Sequence, residues 1–153
     1  MRSYIISDPE RCSGCKVCEL VCSAVHEGVF NLKKARINVD RSHPEFAFSA
    51  GCRFCAEPAC IEKCPKDALT QDENGIIIVD EELCISCGLC VKACKFKAMK
   101  LHVDTKMPIT CDLCNGDPEC IKFCPEGALK LTSTEIIAQN ARRSFVKEFI
   151  FSL

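Results

Sequence analysis

The chain has 153 residues, of which sixteen are cysteine, and its formal net charge is −1. A chain of this length forms one compact body or two small modules, and its cysteine content is far above ordinary usage. It has no apolar run long enough for a membrane span and no signal-peptide pattern at its start, and no nucleic acid is expected among its partners. We therefore expect a cytoplasmic, anaerobic setting in which thiols stay reduced and can bind metal.

The cysteines form four groups of four, an internal repeat that dominates the chain. Groups one and three have the spacing C-x2-C-x2-C-x3-C, whereas the middle gap is four residues in group two and five in group four. In chain order, the groups are Cys12, Cys15, Cys18 and Cys22; Cys52, Cys55, Cys60 and Cys64; Cys84, Cys87, Cys90 and Cys94; and Cys111, Cys114, Cys120 and Cys124.

The spacing within each group favours iron–sulfur clusters over the alternatives. Thiolates bind iron–sulfur clusters and zinc alike, but zinc ribbons usually separate two CxxC pairs by a dozen or more residues. Each group here spans only 11 to 14 residues. In two-cluster ferredoxins with this run, the fourth cysteine ligates the other cluster. The sequence therefore predicts four 4Fe–4S clusters, with structural zinc or a disulfide scaffold as the alternatives.

Three of the four groups are followed by the same residue pattern. An alanine stands four residues after the last cysteine, at Ala68, Ala98 and Ala128, which is one helical turn away. A large apolar residue follows each alanine, and we expect it to cover a cluster. Group one departs from the pattern because His26 takes the place of the alanine.

Short strands are predicted between the groups. The dipeptide Asn74-Gly75 indicates a hairpin turn between groups two and three. β-Branched and aromatic residues predict strands at 4–6, 35–39, 76–79, 100–103 and 129–131.

The last part of the chain predicts an amphipathic helix. Thr132 and Glu135 have the spacing of a capping box. Apolar residues then recur at helical spacing, and this helix either packs on its own protein or docks on a partner. The apolar residues are Ile137, Ala141, Phe145, Val146, Phe149 and Ile150.

With these groups in place, residues 7–131 resemble the four-cluster iron–sulfur subunits of molybdenum and tungsten oxidoreductases, such as those of dimethyl sulfoxide reductase and formate dehydrogenase. The most specific part is the segment CDLCNGDPECIKFCPEGAL. The resemblance implies an α+β fold with two ferredoxin-like modules in one compact body. These modules would be residues 1–48 with 104–131 and residues 49–103, followed by a C-terminal helix at 132–153.

The resemblance also implies that the groups pair in a nested way, first with fourth and second with third. Cluster one would take Cys12, Cys15, Cys18 and Cys124, and cluster two would take Cys111, Cys114, Cys120 and Cys22. Cluster three would take Cys52, Cys55, Cys60 and Cys94, and cluster four would take Cys84, Cys87, Cys90 and Cys64.

The function implied by the resemblance is electron transfer, with catalysis assigned to a partner. The expected partners are a tungsten or molybdenum enzyme, with a tungsten aldehyde oxidoreductase favoured and a hydrogenase or carbon monoxide dehydrogenase also open, and a soluble carrier such as ferredoxin. The alternative is a free polyferredoxin shuttle. Lysines crowd the end of group three, so we expect a higher potential for a cluster there than for the one at Cys12, Cys15 and Cys18. These lysines are Lys92, Lys95 and Lys97.

Overall fold

The computed structural model describes residues 2–43 and 45–151, and side chains within the C-terminal helix up to residue 143. In these ranges, four two-stranded antiparallel sheets alternate with five α-helices, which agrees with the predicted α+β class. The strands are β1 (Ser3–Ser7), β2 (Asn38–Asp40), β3 (Phe48–Ala50), β4 (Leu69–Gln71), β5 (Ile77–Val79), β6 (Lys100–Leu101), β7 (Pro108–Ile109) and β8 (Leu129–Ser133). The helices are α1 (Val17–Glu27), α2 (Ala59–Glu62), α3 (Leu89–Ala93), α4 (Glu119–Lys122) and α5 (Thr134–Phe151).

The two ends of the cysteine-bearing region meet in one sheet. Strand β1 pairs with β8, with Ser3 opposite Ser133 and Ser7 opposite Leu129. The other pairs, β2–β3, β4–β5 and β6–β7, join strands that follow each other along the chain. The β1–β8 pairing therefore brings group one close to the end of group four.

The predicted hairpin at Asn74-Gly75 is confirmed. Strands β4 and β5 pair antiparallel, with Leu69 opposite Val79, and the Gly75 N–H donates to the Asp72 carbonyl at 3.0 Å. The strands predicted at 4–6 and 129–131 are present as the longer strands β1 and β8. Of the strands predicted at 35–39 and 100–103, only the parts that lie in β2 and β6 are strand. A turn shortens β6, because the Lys106 N–H donates to the His102 carbonyl at 3.0 Å.

Helix α1 is longer than the other helices that follow cysteine pairs. It has 11 residues and ends at Gly28, whose N–H donates to the Ala24 carbonyl at 3.0 Å. In groups two and four, Pro65 and Pro125 follow the last cysteine. Proline lacks an N–H and disfavours a helical conformation in the residue before it. Helices α2 and α4 stop after four residues, before these prolines, and α3 stops after five although Lys95 follows Cys94.

Buried apolar residues form two separate clusters. The larger contains Ile5, Ala35, Ile37, Val39 and Leu129 with four buried cysteines. The smaller contains Leu69, Ile77, Met99 and one buried cysteine. The half-buried Cys52 packs against both clusters. Both interiors are therefore small, and cysteine sulfur forms a large part of each.

The C-terminal helix α5 begins one residue later than the capping box predicts. Thr132 is buried in β8, and the hydroxyl of Ser133 accepts from the Ile136 N–H at 3.4 Å. The prediction of Thr132 as N-cap is therefore wrong, because that residue completes the pairing with β1. Residues 134–143 are all exposed. The predicted apolar side chains of Phe145, Val146, Phe149 and Ile150 lie outside the described residues, as do residues 152–153.

No helix in the described ranges is both long and apolar enough to cross a bilayer.

Candidate functional site

Cysteines from groups one and four line a common small cavity. Its wall is completed by Lys16, Val39 and Leu129, among others. The loop before α1 and the first turn of that helix supply the cysteines of group one. The contributing cysteines, here called set one, are Cys12, Cys15, Cys18 and Cys124.

Groups two and three exchange their last cysteines in the same manner. One cavity is lined by three cysteines of group two and the last of group three, and another by three of group three and the last of group two. The first, set three, is Cys52, Cys55, Cys60 and Cys94. The second, set four, is Cys64, Cys84, Cys87 and Cys90.

The remaining cysteines lie together in the larger buried cluster and around it. Burial raises the pKa of the Cys120 thiol, and its neighbours Cys111, Cys22, Cys18 and Cys114 raise it further. Of these, Cys18 lines the cavity of set one. The other three together with Cys120 are here called set two, and they again combine three cysteines of one group with the last cysteine of another. The structure thus brings the cysteines of sets one, three and four together, each in one cavity, while ligation by all four sets stays a prediction.

Backbone N–H groups point at the sulfurs of the exchanged cysteines. The N–H groups of Ala68 and Ala98 donate to the sulfurs of Cys64 and Cys94, each at 3.3 Å. The residue before each alanine has a left-handed conformation, with φ of 51° at Asp67 and 50° at Lys97. The repeated alanine therefore marks a turn that directs an amide at a sulfur, a contact that favours the thiolate.

In group one, a different residue directs its backbone amide at the sulfur of the last cysteine. Helix α1 continues past Cys22, and the Arg36 N–H donates to the Cys22 sulfur at 3.1 Å. His26, which replaces the alanine, lies with its Nε2 3.8 Å from the Cys114 sulfur and 3.4 Å from Asp112 Oδ1. Burial lowers the pKa of His26. The departure of His26 from the repeat is the sequence signal that could have identified this contact.

Burial makes the thiols weak acids in this fold. It raises the pKa of Cys18 and of Cys60 to about 11 and that of Cys111 to about 12. At neutral pH such thiols hold their protons unless a metal displaces them. Four soft sulfur donors for each set suit iron–sulfur clusters, so the residues fit four 4Fe–4S clusters.

Two buried hydroxyls lie beside the sulfurs. Ser49 Oγ in β3 is 3.5 Å from the Cys18 sulfur. Thr110 and Cys52 line the same cavity, and the buried Thr110 hydroxyl has no hydrogen-bond partner among the described residues. Sequence reasoning missed both residues, because Ser49 is 31 positions from Cys18 and Thr110 only follows the short strand β7.

Two of the sixteen cysteines are exposed, namely Cys15 in set one and Cys87 in set four. The other fourteen are half-buried or buried. Sets one and four are therefore the ones that come nearest to solvent through a sulfur.

Family models match most of the chain. The model of a 4Fe-4S dicluster domain matches residues 44–134, and that of a 4Fe-4S binding domain matches residues 9–25. Together these matches include all four cysteine groups.

The relatives with known roles are subunits of oxidoreductases. The polyferredoxin-like subunit of an aliphatic sulfonate oxidoreductase from Pyrococcus furiosus is 36% identical, over 96% of this chain and 86% of that protein. The electron transfer subunit of a thiosulfate reductase from Salmonella typhi is 32% identical, over 82% of this chain and 73% of that protein. Among solved structures, the BamBC active-site complex of benzoyl coenzyme A reductase with benzoyl-CoA contains a chain with a TM-score of 0.51. That chain is 25% identical, with 96% of this chain and 90% of that chain covered.

Proposed function

The chain belongs to the 4Fe-4S dicluster family of iron–sulfur electron-transfer subunits, and on that premise we propose that its four nested cysteine sets form one path for single electrons. Each bound 4Fe–4S cluster supplies one-electron chemistry at a potential set by charge, hydrogen bonds to sulfur and solvent exposure. The chain supplies four thiolates per cluster, directs amides and a hydroxyl at some of them, and buries five of the sixteen cysteines.

The observation that carries the proposal is the composition of the cysteine cavities. The cavities of sets one, three and four each contain three cysteines of one group and a single cysteine of another. This composition supports ligation of cluster one by set one, cluster two by set two, cluster three by set three and cluster four by set four.

Contacts between the sets support a linear order. Cys18 of set one lies in the same buried cluster as Cys111 and Cys120 of set two. Cys52 of set three packs against that same cluster. Helices α2 and α3, which carry Cys60 of set three and Cys90 of set four, pack against each other. The proposed order is therefore one, two, three, four, with the exposed Cys15 and Cys87 at opposite ends.

The two buried apolar clusters support the division into two ferredoxin-like modules. The residues of the larger cluster lie within 1–48 and 104–131, and those of the smaller cluster lie within 49–103. Hairpins β2–β3 and β6–β7 cross from one range to the other. In this proposal the modules share one body, and each holds two clusters, with the helix at 132–153 as an addition.

Catalysis belongs to a partner subunit. Relatives named as polyferredoxin-like or electron transfer subunits of oxidoreductases support this assignment. We extend it to a tungsten or molybdenum enzyme as the partner, with an external carrier such as ferredoxin, in a cytoplasmic and anaerobic setting. The requirement for sixteen reduced thiols supports that setting.

The nested ligand sets make a sharp experimental test possible. Cys124→Ser should damage the same cluster as Cys15→Ser, although Cys124 belongs to group four. Cys22→Ser should instead damage the same cluster as Cys114→Ser. Iron and sulfide content with EPR of each reduced variant identifies the affected cluster. If Cys124→Ser and Cys114→Ser affect one common cluster, each group binds its own cluster and the nested proposal is wrong.

The partner is tested by anaerobic purification of the native complex from its own cells. A stoichiometric large subunit that contains tungsten or molybdenum supports the proposal. A chain that purifies alone with four clusters identifies the free shuttle instead.

A further inference from the structure

A broad groove lies next to set one. Its lining includes Lys16, Lys33 and Lys100. Lys16 and Val39 line both this groove and the cavity of set one. These two residues therefore form the wall between the groove and the cysteines.

The lysines of the groove outnumber its acidic residues. Within the part of the chain whose side chains are described, Lys16, Lys33 and Lys100 form no ion pair, whereas the nearby Lys34 bonds to Asp104 at 2.6 Å. The one acidic residue in the lining is Glu19, which is buried. Its Oε1 accepts from the Val39 N–H at 3.1 Å. Three lysines against one buried carboxylate leave the groove positively charged.

The groove also adjoins an exposed sulfur. Cys15 is exposed and directly precedes Lys16. The other exposed cysteine has a different surface, because Cys87 is flanked by the exposed apolar side chains of Leu83, Ile85 and Leu89. Positive charge is thus found beside the sulfur at one end of the electron path, and apolar surface beside the sulfur at the other.

We propose that the groove of Lys16, Lys33 and Lys100 is the docking site of a small acidic electron-carrier protein, which exchanges electrons at set one beside Cys15. The proposal rests on the electron-transfer function proposed above. One electron passes between the carrier's redox centre and the cluster at set one, so that one is oxidised as the other is reduced, and no bond forms or breaks. Complementary charge raises the rate of such encounters and makes it depend on salt.

The test compares two double variants of the cluster-loaded chain. Lys16→Gln/Lys33→Gln removes two charges from the groove. Lys63→Gln/Lys130→Gln removes two exposed charges outside it and serves as the matched control. The probe is a purified, strongly acidic bacterial ferredoxin, and stopped-flow absorbance gives the second-order rate constant over a range of ionic strength.

We expect the groove variant to react about tenfold more slowly than wild type at low ionic strength, with a flatter dependence on salt. The control variant should keep the wild-type rate and salt dependence. Equal slowing of both variants, or no slowing of the groove variant, would overturn the proposal. The proposal would also be overturned if wild type binds pyrophosphate and the groove variant does not, while both react with ferredoxin at the same rate. That result would identify the groove as a small-anion site.

Reduction by dithionite separates this proposal from the function on which it depends. Both variants should still be fully reduced and show the wild-type EPR spectrum. If dithionite reduces the groove variant normally and that variant reacts with ferredoxin at the wild-type rate, the docking site alone is rejected. A wild-type chain whose purified form contains no reducible clusters rejects the electron-transfer function itself.

Discussion

The hydroxyl of Ser49 lies 3.5 Å from the sulfur of Cys18, and both residues are buried. Ser49 belongs to β3 and Cys18 to α1, so the contact joins two distant parts of the sequence. With the sulfur present as a thiolate, the hydroxyl is the donor. A hydrogen bond to a cluster ligand stabilises the reduced state, which carries more negative charge.

We therefore predict that Ser49→Ala lowers the potential of the cluster at set one. A net hydrogen bond of about 1 kcal/mol corresponds to about 40 mV for one electron. A redox titration followed by EPR measures the shift.

Thr110→Val is the matched control for this prediction. It removes the hydroxyl beside Cys52 with little change in volume, so its effect should fall on the cluster at set three. Identical potentials for set one in wild type and Ser49→Ala would show that the contact does not tune that cluster.

The charges around the cavities predict unequal potentials. Arg53, Lys95 and Glu57 line the cavity of set three, whereas Lys16 and Glu126 line that of set one. The extra positive charge should stabilise the reduced cluster at set three and raise its potential above that of set one. Lys95 lines the cavity of set three because it follows Cys94, which belongs to that set. The other three cysteines of group three belong to set four.

Lys95→Glu/Lys97→Glu should accordingly lower the potential of set three by about 40 mV or more, equivalent to about 1 kcal/mol at these exposed positions. EPR-monitored titration is the measurement, and Lys130→Glu is a charge-reversal control away from that cavity. Unchanged potentials in the double variant would contradict the prediction.

Because the buried apolar clusters are small, we expect folding to depend on the iron–sulfur clusters. Four of the nine buried residues in the larger apolar cluster are cysteines. Without metal, their sulfurs lose the bonds that join distant segments, and the remaining apolar surface is too small to replace them. Removal of iron with an oxidant and a chelator under nitrogen should abolish cooperative thermal unfolding, as measured by far-UV circular dichroism.

The loaded protein in the same chelator buffer without oxidant is the control. A metal-free chain that still unfolds in one sharp transition, with the protease resistance of the loaded form, would disprove this dependence.

Two glycines provide a matched pair for testing the loop around set one. Gly14 and Gly28 have nearly the same φ, 67° and 68°. A Cβ at Gly14 would lie 2.9 Å from Ala47 Cβ, whereas a Cβ at Gly28 would have no atom within 4 Å. Gly28→Ala should cost about 1–2 kcal/mol from the left-handed backbone alone. Gly14→Ala should cost about 1–3 kcal/mol more from overpacking.

Thermal unfolding and iron content of the loaded variants measure this difference. Gly14→Ala should also lose iron from set one selectively, because the loop carries Cys12 and Cys15. Equal stability of the two variants would mean that the loop moves freely and does not shape the cavity.

The parts of the site that were predicted from sequence are those with a local signal. The spacing within each cysteine group predicts three ligands of one cluster, and Asn74-Gly75 predicts the β4–β5 hairpin. The exchanged fourth cysteines needed a family resemblance, because no local pattern relates Cys124 to Cys12. The hydroxyls of Ser49 and Thr110 were not predictable, since serine and threonine in short strands are common and their contacts are set by the packing of distant segments.

The first residue of the C-terminal helix α5 could not be predicted from the capping-box spacing. Thr132 and Glu135 satisfy the spacing of a capping box, but pairing with β1 places Thr132 in a strand and leaves the cap to Ser133. Tertiary pairing thus decided between two adjacent hydroxyl residues that are equally good caps by composition.

The pairing of β1 with β8 has a consequence for biosynthesis. The cavities of sets three and four use residues from 52 to 94, whereas that of set one requires Cys124. Chains are made from the amino terminus, and early segments can fold before later ones exist. The inner two sets can therefore be complete on a nascent chain, while set one gains its fourth sulfur only after Cys124 has been made. A chain that holds a fully ligated cluster at Cys15 must therefore already contain Cys124.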